Sequence, residues 1–143
     1  MSTTGLEVFD QTLQKTNIWL KEIMEQVGPD RQCAYHALRA VLHTLRDRLT
    51  VEEAAHLSAQ LPLLVRGIYF EGWHPAHKTT KERAQDEFLE QVAAGLQGIE
   101  PMTATRIVIE VLERHVDPQE AARVKHMLPK PLQGLWPAET RAS

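Results

Sequence analysis

At 143 residues the chain has the length of one domain, residues 1–143, and can bury a core without disulfide or metal staples. Apolar residues make up 43% and aromatics only 6%, while 16 basic residues against 19 acidic ones leave a formal charge of −3. That balance gives no general attraction to nucleic acid or to anionic lipid. The single cysteine, Cys33, excludes an internal disulfide and fits a reducing compartment; among apolar helix positions it reads as a small buried hydrophobe. The start MSTTGLEVFD lacks a basic, then apolar, leader pattern, and no apolar run approaches the ~20 residues that span a bilayer. A soluble cytoplasmic protein with no membrane partner is expected.

Helical spacing dominates throughout. In FDQTLQKTNIWLKEIMEQVG the positions Phe9, Leu13, Leu20, Ile23, Met24 and Val27 share one helical face, and Gly28-Pro29 ends the helix. Asp30 can cap a second helix whose buried face is Cys33, Ala34, Ala37, Leu38, Val41, Leu42 and Leu45. TVEE reads as a capping box, in which Thr50 accepts from the Glu53 amide and Glu53 reaches back to that of Thr50. The third helix passes through Ala54, Leu57 and Leu61. Pro62 interrupts it and suits the first turn of a short fourth helix, LPLLVRGIY.

The second half repeats this programme. Ala37, Arg39, Val41 and Leu45 reappear 67 positions later as Ala104, Arg106, Val108 and Leu112. Glu53-Ala54-Ala55, Leu61-Pro62 and Gly67 reappear as Glu120-Ala121-Ala122, Leu128-Pro129 and Gly134. DPQE repeats the capping box with Asp117 and Glu120. Upstream, Trp19, Leu20, Ile23 and Val27 align with Phe88, Leu89, Val92 and Leu96, now 69 positions apart. The pattern predicts an all-α bundle of about eight helices, two of them short, built from tandem four-helix repeats over about 6–72 and 80–136. Each unit has one apolar face, and the two faces are expected to pack about a pseudo-twofold axis. Residues 71–79 form the joint, in which Thr79 can cap the next helix and Trp73 is expected to anchor against one half; 137–143 is a polar tail.

Three constellations stand out as candidate sites. His74 and His77, three apart in the joint, are imidazoles that can share a borderline metal, although no further ligand is visibly arranged around them. His36, Arg39, His43 and Arg46 form a stripe at helical spacing, where the second half has Thr103, Arg106, Glu110 and Glu113. Such a stripe is either a solvated face or a surface for an acidic partner or a second subunit. Arg48 and Arg66 can bond free carbonyls at helix ends or, with Arg46, form an anion pocket. No serine lies in a Gly-rich elbow, no glycine loop cradles a phosphate, and Glu52-Glu53 is assigned to capping.

The run from Ala37 to Pro75, ALRAVLHTLRDRLTVEEAAHLSAQLPLLVRGIYFEGWHP, resembles the bacterial family called domain of unknown function 2267. The likeness lies in the blocks Leu45–Leu49, Ala59–Pro62 and Arg66–Pro75, and extends from about Phe9 to Trp136. It implies a small helical bacterial protein with two related halves. It implies no reaction and carries over no catalytic residue; His77 falls outside the last block.

These observations favour a non-enzymatic interaction or scaffold module, a homo-oligomer or the binder of a protein partner. Its expected contacts are His36, Arg39, His43, Arg46, Arg66, Tyr69 and Trp73, with Arg46→Glu breaking an assembly without unfolding the monomer. The runner-up is an anion- or metal-binding protein or enzyme with a site at the joint, around His74, Arg66 and Tyr69. A nucleic-acid-binding regulator is third, and no cofactor is expected.

Overall fold

A computed structural model describes residues 3–74 and 85–136. Among these, the chain forms eight helices and no strand. They are α1 (Glu7–Val27), α2 (Arg31–Arg46), α3 (Val51–Ser58), α4 (Leu63–Phe70), α5 (Gln85–Ala94), α6 (Pro101–His115), α7 (Pro118–Met127) and α8 (Lys130–Gln133). None is long and apolar enough to cross a membrane.

The helix starts follow their caps. Asp30 accepts from the amides of Gln32 and Cys33, Thr50 from that of Glu53, Glu100 from that of Thr103, and Asp117 from that of Gln119. The expected reach-back of the capping boxes is replaced. The Glu53 carboxylate instead bonds Nε and Nη2 of Arg123, each at 3.2 Å, and Glu120 meets His56 Nδ1 at 2.8 Å. Both glutamates face the groove between α3 and α7, where an arginine or a histidine on the opposite helix takes the place of the cap amide. Thr79 and Glu82, read as the cap of the fifth helix, lie outside the described residues.

One continuous core joins the helices. α2 lies at its centre and packs against α1, α4, α5 and α6, while α6 also touches α1, α5 and α7. Ala37, Leu38, Val41, Leu42 and Leu45 of α2 meet a core that includes Ile23, Val92, Val108 and Ile109. Close approach is enforced at Gly95, where an added Cβ would come within 3.0 Å of that of Ala40. Two aromatic rings of the outer helices carry a side chain from the end of a central one: Phe88 lies 5.1 Å beneath the Arg48 guanidinium, and Trp19 stacks on the His115 imidazole at 5.3 Å.

Two burial expectations need correction. Cys33 is half-buried, and its thiol lies 3.5 Å from the carbonyl of Gln97. Phe9 and Leu13, placed on the buried face of α1, are 46% and 38% exposed. The cause is length. At ~1.5 Å per residue, α1 with its 21 residues outruns the antiparallel α2 with 16. The excess leaves Phe9 beyond the reach of α2 with only the start of α4 alongside, whereas Leu13 lies at the edge of the inward face, near Asn17 and Ile18.

Phe88→Ala should cost about 3–5 kcal/mol, because it empties a buried ring site and removes the surface on which Arg48 lies. The denaturant midpoint of unfolding measures it.

Candidate interaction surface

The basic stripe of α2 turns toward the protein. Helix α4 ends against it, and the last carbonyls of any helix lack intrahelical donors. Here they are supplied from α2. His43 Nε2 donates to Ile68 O at 2.7 Å, and Arg46 Nη1 donates to Tyr69 O and Glu71 O at 2.8 and 2.9 Å. The amide of Trp73 serves Phe70 O at 3.0 Å. Arg39 closes the row with an ion pair to the Glu71 carboxylate at 3.0 Å, half exposed and so of small energetic weight. A cation set against the negative end of the α4 dipole is in its favoured place.

The network continues beyond α4. Arg46 Nε donates to Asp47 Oδ1, Gln91 Nε2 donates to Asp47 Oδ2, and Arg48 Nη1 donates to Gln91 Oε1. Arg48 also bonds Thr44 O, and Arg66 bonds Ser58 O and Leu61 O behind α3, the helix-end role foreseen for these two arginines.

Arg46 is only 5% exposed, and Tyr69 is fully buried with its hydroxyl donating to Ala54 O at 2.8 Å. Burial raises the Tyr69 phenol well above its usual range. Neither side chain presents a surface, so the expectation that they form an outward contact is corrected. A row of cations reads as a solvated face only until a helix end is found beneath it. Arg46→Glu would accordingly place a carboxylate against two carbonyls and unfold the chain.

Of the remaining candidates, His36 and Arg66 are half-buried and His74 is exposed. Trp73 is half-buried against the core edge, its ring stacked on Phe70 at 5.1 Å, which gives the joint the anchor expected of it. His77 lies outside the described residues, so the His74–His77 pair cannot be measured as a site. Among the described residues, no group of three or more His, Cys, Asp or Glu side chains could hold a metal ion.

What sequence reasoning missed is apolar. Where α1 overruns the core, Phe9 and Leu13 stay on its inward face. Thr12 Oγ1 accepts the amide of Leu64 at 2.8 Å, laying the start of α4 beside that segment. Leu63 and Leu64 are 48% and 40% exposed there. Phe9, Leu13, Leu63 and Leu64 are thus four exposed large apolar side chains on two neighbouring segments, here termed the ledge, with Leu6 and Val8 exposed nearer the start of α1. The signal was present in the unequal spans of α1 and α2, had length been weighed alongside periodicity.

The family described as Uncharacterized conserved protein (DUF2267) matches residues 16–135 of the chain. No curated protein matches it.

Arg46→Ala should cost about 2–3 kcal/mol by leaving the Tyr69 and Glu71 carbonyls without their donor, again seen as a lower midpoint. His43 adds a pH effect. Burial lowers its pKa from the ordinary 6.5, against the opposing pull of its bond to Ile68 O, with Arg46 and Arg39 pressing the same way as burial. A lowered histidine favours the fold in its neutral form, so its contribution is whole above pH 6.5 and is lost as pH falls through the folded value. His43→Gln keeps an N–H donor for Ile68 O and should flatten the stability profile below about pH 6.5. Glu22 titrates lower: burial raises it, but hydrogen bonds from His115 and Arg114 outweigh that and hold it below 4.5.

Proposed function

We propose that this chain, which belongs to the uncharacterised conserved family DUF2267, is a non-enzymatic interaction module assembled from two duplicated four-helix units. The observation that carries the functional reading is the apolar ledge of Phe9, Leu13, Leu63 and Leu64. A face continuous with the core, but extended past it, fits a second protein surface, whether another copy or a different partner. With a charge of −3 the chain offers nucleic acid no general attraction, so a protein is the partner proposed. A cytoplasmic setting belongs to the same reading and is supported by the single free thiol of Cys33.

The duplication is supported by contacts that come in related pairs. α2 packs on α5 as α6 packs on α1, while α2 meets α6 and α3 meets α7 across the centre. The seam between α3 and α7 joins Glu53 to Arg123 and Glu120 to His56. At equal offsets, 53 corresponds to 120 and 56 to 123, so each pair is the image of the other under a twofold exchange. Likewise Phe88 under Arg48 answers Trp19 on His115, and Gln91 on Asp47 and Arg48 answers Glu22 on Arg114 and His115. A single-chain pseudo-twofold accounts for all three sets at once.

Leu13→Asp tests the ledge. The side chain is already 38% exposed, so the melting temperature should hold within a few degrees. Capture of bound protein from native extract, or self-association in sedimentation velocity, should fall at least tenfold, the loss of about 1.4 kcal/mol expected when a charge enters an apolar contact. Unchanged capture and unchanged sedimentation would remove the ledge as the interaction site.

A further inference from the structure

Where α1 passes the turn between α3 and α4, the surface dips into a cleft of about 350 Å³, lined by Lys15, Ile18, Trp19, Gln60, Pro62 and His115. That volume falls in the range of small-molecule sites, and its surface mixes apolar and polar groups in similar measure. Ile18 and Pro62 form apolar sides, and the indole of Trp19, 2% exposed, underlies the imidazole of His115 at 5.3 Å with their planes 20° apart.

The polar groups are held in place by bonds that leave part of each unused. His115 Nε2 bonds Glu22 Oε1 at 2.9 Å, and the same oxygen accepts from Arg114 Nη1 at 2.8 Å. Stacking fixes the plane of the imidazole and Glu22 fixes its rotation, while Nδ1 has no partner among the described residues. Gln60 Oε1 accepts the amide of Asp117 at 3.2 Å, which orients the carboxamide and leaves its NH2 group unused. The ammonium of Lys15 has no acceptor among the described residues, whereas Arg114, next in sequence to His115, is paired with Glu22.

We infer that this cleft binds a small carboxylate with an apolar body. The carboxylate meets the Lys15 ammonium and the Gln60 NH2 group, and the body lies between Ile18 and Pro62 with its edge toward His115. One unneutralised cation suits a single negative charge, and a phosphate dianion would find neither an arginine fork nor a ring of backbone amides. The apolar walls select against a bare inorganic anion. This inference does not rest on the ledge, none of whose four side chains lines the cleft.

The test is a titration of the full-length ¹⁵N-labelled protein with phenylacetate, following the indole N–H resonance of Trp19. Phenylacetamide serves as the neutral twin and inorganic phosphate as the anion without an apolar body. Phenylacetate should give a saturable shift, about tenfold weaker with phenylacetamide and in Lys15→Glu, and absent in Ile18→Glu, which sets a like charge in the cleft. Lys15 and Ile18 are both exposed, so unchanged melting temperatures verify that these variants fold. Absence of a saturable shift up to about 20 mM phenylacetate would overturn the inference. So would an equal response to phenylacetamide or to phosphate, or an unaltered response in Lys15→Glu.

Discussion

The guanidinium of Arg46 is the interaction on which the rest of this bundle depends. Helix α4 is short, eight residues, and its last carbonyls, which run from buried Tyr69 to exposed Glu71, lack donors within the helix. Arg46 answers two of them and also grips Asp47, whose other oxygen holds Gln91 of α5. One buried cation therefore ties the end of α4, the end of α2 and the middle of α5 into a single polar chain. A charge so deep is tolerated because its donors have partners in a fixed fork, which an ammonium in the same place could not match.

Given that chain, the aromatic content of the molecule falls into order. Tyr69 is directed inward because Arg46 holds its carbonyl, and its hydroxyl reaches Ala54, locking α3 to α4 where the sequence between them is broken by Pro62. Trp73 then leaves the turn after Gly72, whose φ of 73° puts the chain in the left-handed region that glycine alone enters freely, and stacks on Phe70. The segment expected to anchor the joint thus does so through a ring pair at the edge of the core, next to the polar clasp of Arg46.

How much of this was legible from sequence follows from which forces are local. Helix existence, the breaks at Gly28 and Pro62, and the caps Asp30 and Thr50 depend on near neighbours, and all were readable. The direction of the α2 stripe was not, because it depends on the end of α4, more than twenty residues away. Periodicity placed His36, Arg39, His43 and Arg46 on one face correctly and could not say what that face meets. The same holds for Glu53 and Glu120, whose local partners were plausible but lost to Arg123 and His56 across the α3–α7 groove. The ledge escaped for the opposite reason: Phe9 and Leu13 carry the pattern of buried residues, and only the relative reach of two helices reveals that the core stops short of them.

That reach has a thermodynamic consequence of its own. The first turns of α1 add only a few residues to a helix anchored farther along, well short of the ~12–15 that persist as an isolated helix in water. Their order is borrowed from the turns already seated on the core, and weakens with distance from them. Whatever settles on this overhang would have to quench its fraying as well as cover its side chains. The ordering cost falls on the encounter, lowering affinity for a given area while letting the helix adjust to more than one shape of counterpart.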